Sequence, residues 1–155
     1  MLDYTAIKDV VAVCRDAEQR FRGASAAAPT PALKNLFAQL SLEHGEFAGE
    51  LLQAGRSMGM DIPDSSGVGG TLHSGWIEIK AALSGHDERQ IVEQAAHGEE
   101  ICLTGYRQAL AMSLADEVRA ILQRQAARVQ QAHNQILSLR DSAVETTVEQ
   151  THEAH

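Results

Sequence analysis

The stretch LKNLFAQLSLEHGEFAGELL, residues 33–52, constrains the fold of this chain more than any other. Its large apolar residues recur at spacings of three and four, the pattern of an amphipathic helix with one buried face. They are Leu33, Leu36, Phe37, Leu40, Phe47 and Leu51. Glu43 lies three residues after Leu40 and four before Phe47, on or beside that face. An isolated buried charge is very costly, so this carboxylate must be paired, hydrogen-bonded or bound to a metal.

Composition indicates one helical domain. A chain of 155 residues is long enough for a hydrophobic core, and its 44% hydrophobic content is too high for a disordered chain. Aromatic residues are only 4% of the sequence, while Ala, Leu, Gln and Glu are plentiful, which favours helices over a β-sandwich. The fold class expected is therefore all-α.

Charge and the apolar runs limit the partners that we expect. The net charge of −8 argues against nucleic acid, which requires a basic patch, and is compatible with attraction of metal ions. No apolar run approaches the length of a membrane helix, and the first residues lack the features of a signal peptide. We expect a cytoplasmic bacterial protein that contacts neither membrane nor nucleic acid; homo-oligomerisation is left open.

Four long helices follow from the periodic pattern and the capping signals. The first begins near Asp3 and runs beyond residue 21, and the second begins at Thr30-Pro31 and ends near Gly59. Capping-box patterns at Asp87 and at Ser113 open the third and fourth helices. The fourth is expected to end near residue 140, so residues 1–141 form the bundle and residues 142–155 a frayed or disordered tail.

The segment between the second and third helices predicts the topology. Residues 59–71 form a loop rich in Gly, Ser and Asp, and a short helix around Trp76 follows it. Loop and short helix together are long enough to travel the length of the bundle. We therefore expect a crossover, with helices two and three parallel and two antiparallel hairpins forming the four-helix bundle.

Each long helix places a metal-capable side chain near its mid-length, on or beside the inner face. Di-iron carboxylate bundles use a Glu from each of two helices and a Glu-x-x-His pair from each of the other two. This chain has the same spacing, but residue type departs from the pattern at Glu46 and Gln130. The candidate ligands are Glu18, Glu43, Glu46, Glu99, Gln130 and His133. Carboxylates with one imidazole suit iron or manganese, and would also bind zinc.

Several stretches also resemble a known family. They include EHGEFAGEL from Glu43, HSGWIEIKAALSG from His73, HGEEICLTGYRQAL from His97, and LQRQAARVQQAHNQILSLRD from Leu122. Together the similar stretches span residues 3–141 and resemble a functionally uncharacterised bacterial family of small ferritin-like four-helix-bundle proteins. The resemblance implies a ferritin-like fold and a metal centre, but no substrate or reaction.

Other interpretations of the polar residues stay open. Glu18 and Glu99 would also be explained by ion pairs with Arg22 and Arg107, while Glu43 and Glu46 would form ordinary pairs on the helix face. His133 alone is more often a core or surface histidine than a ligand. The remaining helical histidines are expected in solvent: His44, His86 and His97.

The two cysteines, Cys14 and Cys102, form no disulfide framework or metal motif. If helices one and three are antiparallel neighbours, both cysteines lie at one level beside the polar site. We expect two free thiols there, with a redox pair as the alternative.

Three functions compete at this point. The first is a ferritin-like metal-binding protein with a degenerate di-iron carboxylate centre, acting in oxygen or peroxide chemistry or as a metal buffer. The second is a metal-free structural or stress-related interaction protein with a vestigial polar core. The third binds a small ligand between the helices. The sequence leaves open whether the protein is an enzyme.

Overall fold

The computed structural model describes residues 2–64 and 88–153, and describes side chains over 3–64 and 88–141. The described chain forms four α-helices: α1 Leu2–Ala27, α2 Pro31–Ser57, α3 Glu88–Leu110 and α4 Asp116–Glu153. No β-strand occurs within these described ranges. The predicted all-α four-helix architecture is confirmed.

The ends of α2 are set by capping residues that the sequence shows. The Thr30 hydroxyl accepts a hydrogen bond from the Leu33 backbone N–H at 3.3 Å, and Pro31 occupies the first turn. At the other end Gly59 adopts a φ of +78°, in the left-handed region where glycine is favoured. The Met60 N–H can then donate to the Gly55 carbonyl at 2.8 Å. Both predicted ends of this helix are therefore confirmed to within a few residues.

The connection between α3 and α4 is fixed by side chains that bind exposed backbone groups. The Arg119 guanidinium donates to the carbonyls of Leu110 and Met112, both at 3.0 Å, where α3 ends. The Asp3 carboxylate accepts from the Ala115 N–H at 3.0 Å, just before α4 begins. The Asp3 bond therefore ties the start of α1 to the α3–α4 turn, while the Arg119 bonds hold the end of α3 against α4.

Two predictions concern segments at or beyond the ends of the described helices. α4 continues through Glu153, so the expected helix end near Arg140 is wrong. Fraying of residues 142–155 stays a prediction. The predicted crossover and the short helix at Trp76 lie outside the described residues, except for the first residues of the loop.

Cross-helix contacts establish the helix directions. In α1, Cys14 contacts Tyr106 of α3, and the later residue Arg20 contacts the earlier residue Cys102. Residue numbers therefore rise in one helix as they fall in the other, so α1 and α3 are antiparallel. The same test shows that three further pairs of helices are antiparallel: α1 with α2, α3 with α4, and α2 with α4. Helices α2 and α3 are therefore parallel, which confirms the predicted pair of antiparallel hairpins.

The core of the bundle is apolar at both ends and polar in the middle. Its largest buried side chains include Phe21, Phe37, Leu51, Ile91 and Leu122, contributed by all four helices. Burial of this surface is the main source of stability. None of the described helices has an apolar stretch that is long enough to cross a membrane.

Candidate functional site

A histidine and a glutamate meet at the centre of the bundle. His44 lies on α2 and Glu99 on α3, two parallel helices of the bundle. His44 Nε2 is 2.8 Å from Glu99 Oε1. Their side chains are 2% and 0% exposed. Because a carboxylate only accepts when ionised, the imidazole N–H is the donor. The pair gives a hydrogen bond and an ionic attraction inside the core.

Aromatic packing fixes the orientation of the His44 ring. The Phe21 ring stacks on it with centroids 5.8 Å apart and planes 7° apart. The Phe47 ring approaches it edge-on, with centroids 6.0 Å apart. These two rings exclude water from the imidazole and hold its Nε2 toward Glu99.

The charge state of His44 is set by two opposing effects. Burial lowers its pKa because it disfavours the charged imidazolium, while the Glu99 carboxylate and the Cys14 thiol raise it. The rise dominates and brings the pKa of His44 to about 10. Without a bound metal, His44 is therefore charged at neutral pH and neutralises Glu99.

Cys102 joins this pair one turn further along α3. One ligand-type atom from each of His44, Glu99 and Cys102 can be chosen so that all three lie within 4.8 Å of one another. Burial raises the pKa of the Cys102 thiol well above its usual value, and the Glu99 charge raises it further. Without a metal ion the sulfur is a protonated thiol. We call these three residues the central triad.

A buried arginine borders the central triad. Arg20 forms an ion pair with Asp16 at 3.1 Å, and its guanidinium lies 5.2 Å from the centre of the Phe21 ring. Its NH2 group lies 3.9 Å from Cys102 Sγ. A Cβ at Gly98 would lie only 2.9 Å from Arg20 Nε, so the missing side chain leaves room for the guanidinium. Asp16 balances the charge of this arginine beside the triad.

A hydrogen-bonded chain leads from the other side of the site toward the surface. Tyr106 donates its hydroxyl to Gln125 Oε1 at 2.8 Å, and the Gln125 amide donates to Glu50 at 2.8 Å. The single tyrosine proton is thereby used, so the Cys14 thiol, 3.3 Å from the hydroxyl oxygen, acts as donor to it. Burial raises the pKa of Tyr106, so it stays neutral.

Two atoms of the central triad have unmet hydrogen-bonding capacity. Glu99 Oε2 and His44 Nδ1 are buried and have no hydrogen-bond partner among the described residues. Buried polar atoms in native proteins are rarely left this way, because each unmet bond costs ~1–3 kcal/mol. Glu99 Oε2 is a ligand-type atom as it stands, whereas the His44 imidazole becomes one only when it loses a proton.

The part of the chain that carries the triad has a recognisable family signature. The family described as "Domain of unknown function (DUF2383)" matches residues 4–112. The chain belongs to this family. No curated protein matches it. The DUF2383 match covers helices α1 to α3 and all three triad residues, whereas α4 lies beyond it.

The structure separates the six sequence-predicted ligands. Glu99 alone reaches the central triad. Glu18 pairs with Arg15 at 3.0 Å and with Arg22 at 3.6 Å, as the ion-pair interpretation expected. Glu43 pairs with Arg128 at 2.6 Å.

Glu46 is exposed, and the Gln130 amide donates to Asn134 at 3.1 Å. His133 lies 3.6 Å from Glu100 at the edge of the bundle. The described side chains of Glu18, Glu43 and His133 therefore have partners outside the central triad, and metal binding by the six candidates stays a prediction. Arg15 and Arg128 neutralise Glu18 and Glu43.

His44 is the residue that the sequence interpretation misplaced. We expected it in solvent, yet it is 1% exposed. The sequence does contain a pattern that predicts its burial. Spacings of four and three alternate along one row of α2, and every member of the row is buried: Phe37, Ser41, His44, Ala48 and Leu51. The buried face was predicted from the large apolar residues alone, so the small and polar residues of that row did not contribute to it. The phase of the helix was therefore off by one residue, which favoured Glu43 over its neighbour.

The structure also bears on the predicted positions of the two cysteines. Both Cys14 and Cys102 are buried and free, on antiparallel neighbouring helices. Cys102 belongs to the triad, and Cys14 lies close enough to His44 to raise the histidine's pKa. The predicted position of two thiols beside the polar site is confirmed.

Proposed function

We propose that this DUF2383 protein binds one divalent metal ion in the bundle core, with His44, Glu99 and Cys102 as ligands. The observation that carries the proposal is the central triad itself: three ligand-type atoms within 4.8 Å of one another. Glu99 Oε2, which is buried without a hydrogen-bond partner among the described residues, adds to it. A cation bound by the Glu99 carboxylate would compensate for this unmet hydrogen-bonding capacity.

The donor set favours zinc over the metals that the sequence suggested. Carboxylates alone suit iron or manganese, but a set of one nitrogen, one oxygen and one sulfur is typical of zinc. A di-iron centre needs carboxylates from several helices at one point, and Glu18 and Glu43 are paired with arginines elsewhere. We therefore propose a single ion, serving as a structural or buffered metal, in a ferritin-like bundle.

Charge balance is compatible with this proposal. In the metal-free state the His44 imidazolium neutralises Glu99, and Asp16 neutralises Arg20. A divalent ion bound to neutral His44, anionic Glu99 and a Cys102 thiolate would give the same net charge in the core. Metal ligands must be deprotonated, so the ion replaces two protons rather than adding charge.

The test is metal content and affinity in protein purified without chelator. We expect about one zinc per chain, and competition with a chelator should show that Cys102→Ser weakens binding about 10-fold or more. Cys14→Ser is the comparison variant: Cys14 is an equally buried thiol that bonds Tyr106 and neighbours His44 but is not a member of the triad, so its loss should weaken binding less than the loss of Cys102. Circular dichroism checks that both variants fold.

A metal-free structural role is the second candidate. The observation that favours it is the His44–Glu99 ion pair, which already neutralises the buried carboxylate. If the protein holds no metal as purified and binds neither zinc, iron nor manganese after exposure, the metal proposal is wrong. The polar core would then serve to fix the helix register.

A further inference from the structure

A second polar region lies on the surface between α3 and α4. A groove of about 320 Å³ is lined by six residues, which we call the α3–α4 groove: Glu100, Leu103, Thr104, Arg107, Gln130 and His133. Pockets for small molecules have volumes of ~300–1,000 Å³, so this groove is at the small end of that range. Two sequence-predicted metal ligands, Gln130 and His133, lie here rather than in the core.

Opposite charges occupy the two ends of the groove. Glu100 and Arg107 are seven residues apart on α3, which places them on one face and about 10 Å apart along the axis. The Arg107 side chain has no hydrogen bond or ion pair with the described residues, whereas Arg15, Arg124 and Arg128 all have carboxylate partners. Its guanidinium is therefore available to an anion.

The Glu100 end is rich in acceptors. The Glu100 carboxylate is 60% exposed, and the rings of its neighbours His97 and His133 are at 3.9 and 3.6 Å, beyond hydrogen-bond distance. The Gln130 amide nitrogen is used by Asn134, so the amide oxygen can accept from a ligand. His133 Nδ1 is buried without a partner among the described residues.

The middle of the groove differs from both ends. Leu103 presents apolar surface, and the Thr104 hydroxyl donates its proton to the Glu100 carbonyl at 3.0 Å. Thr104 is therefore an acceptor toward the groove. A ligand that matches this order has an ammonium at one end, a short alkyl chain, and a carboxylate at the other.

We propose that the α3–α4 groove binds a small ω-amino acid, with its ammonium at Glu100 and Gln130 and its carboxylate at Arg107. The fork of N–H groups on arginine matches the two oxygens of a carboxylate. A dipolar ligand also suits a protein of net charge −8, which would repel a simple anion. This site is independent of the metal proposal.

The test is calorimetric titration with ε-aminocaproate as the probe, with caproate and hexylamine as single-ended comparators. We expect saturable binding of ε-aminocaproate and weaker binding of both comparators. Arg107→Gln and Glu100→Gln should each weaken binding about 10-fold, because each removes a hydrogen-bonded charge.

Arg56→Gln is the control, because Arg56, like Arg107, is an exposed arginine in the last turn of its helix. It should bind as the unaltered protein does. The proposal is overturned if ε-aminocaproate gives no saturable binding, if either comparator binds as tightly, or if Arg107→Gln binds like Arg56→Gln. Titrations in chelator keep this result separate from metal binding.

Discussion

Glu99 and Glu100 are neighbours in the chain, and each faces a histidine, yet their surroundings are opposite. Glu99 is 0% exposed and lies 2.8 Å from His44. Glu100 is 60% exposed and lies 3.6 Å from His133. A turn of about 100° along the helix sends one carboxylate into the core and the other into water. Residue type and spacing alone do not decide whether such a pair is a structural element or a surface charge.

The energetic consequence follows from burial. A buried ion pair that loses one partner leaves an uncompensated charge in low dielectric, whereas an exposed pair contributes little because water screens it. The core pair should therefore be sensitive to substitution and the surface pair insensitive, although both are Glu–His pairs. Unfolding experiments can test this difference between core and surface residues with several variants.

The largest expected effect comes from Glu99→Ala. Removing this carboxylate leaves His44 in the core without its ionic and hydrogen-bonding partner, which should lower the free energy of unfolding by about 3–5 kcal/mol. Glu100→Ala is the matched control and should change it by less than ~0.5 kcal/mol. Urea denaturation with chelator present measures both. Equal losses for the two variants would contradict the distinction drawn here.

The second effect is a pH dependence of the same core pair. In the metal-free protein the folded-state pKa of His44 is about 10, above the ordinary value of 6.5. A raised pKa means that the pair stabilises the fold fully below pH 6.5 and that this contribution is lost as pH rises toward about 10.

The stability difference between the unaltered protein and His44→Gln should therefore shrink between pH 7 and pH 10. Subtracting the variant removes the titration of other groups. A difference that is constant over this range would show that His44 is not charged in the fold.

A smaller effect is expected from glycines on the two sides of the bundle. Gly98→Ala pushes a methyl group against the buried Arg20 guanidinium, at 2.9 Å from its Nε, and should cost ~1–3 kcal/mol. Gly49 has nothing within 4 Å of an added Cβ, so Gly49→Ala should stabilise by ~0.5–1 kcal/mol through helix propensity. Thermal unfolding of both variants tests this. Stabilisation by Gly98→Ala would mean that Arg20 moves away freely.

These predictions depend on features that the sequence shows to different extents. The four helices, the Thr30 cap and the parallel arrangement of α2 and α3 follow from apolar periodicity, capping chemistry and loop length. The burial of Glu99 follows as well, since it lies on a clear stripe between Ala95 and Cys102. These are local or topological properties, and one sequence is enough to predict them.

The partners of the polar side chains were harder to predict. Glu43 and His44 differ by one position on α2, so a small error in helix phase exchanges the buried residue for the edge one. Whether Glu43 is paired with Arg128 depends on how α2 and α4 pack, which no local pattern fixes. Gln125 is buried in α4, and its bonds to Tyr106 and Glu50 follow only from three-dimensional contacts.

The smallest effect should come from the Glu43–Arg128 pair at the bundle edge. Its oxygen and nitrogen are 2.6 Å apart, but both side chains are partly exposed. A double-mutant cycle with Glu43→Gln and Arg128→Gln should give a coupling of ~0.2–1 kcal/mol. A coupling energy as large as the loss in Glu99→Ala would contradict the account, because it would show that a polar pair at the bundle edge stabilises the fold as much as the core pair does.

The most direct test of the central claim is X-ray absorption spectroscopy of the zinc-loaded protein. We predict one sulfur scatterer at about 2.3 Å from zinc, from Cys102, with nitrogen and oxygen at about 2.0 Å. In Cys102→Ser the sulfur scatterer should disappear, while in Cys14→Ser it should remain. A spectrum with only oxygen and nitrogen neighbours, or one that Cys102→Ser leaves unchanged, would contradict metal binding by the central triad.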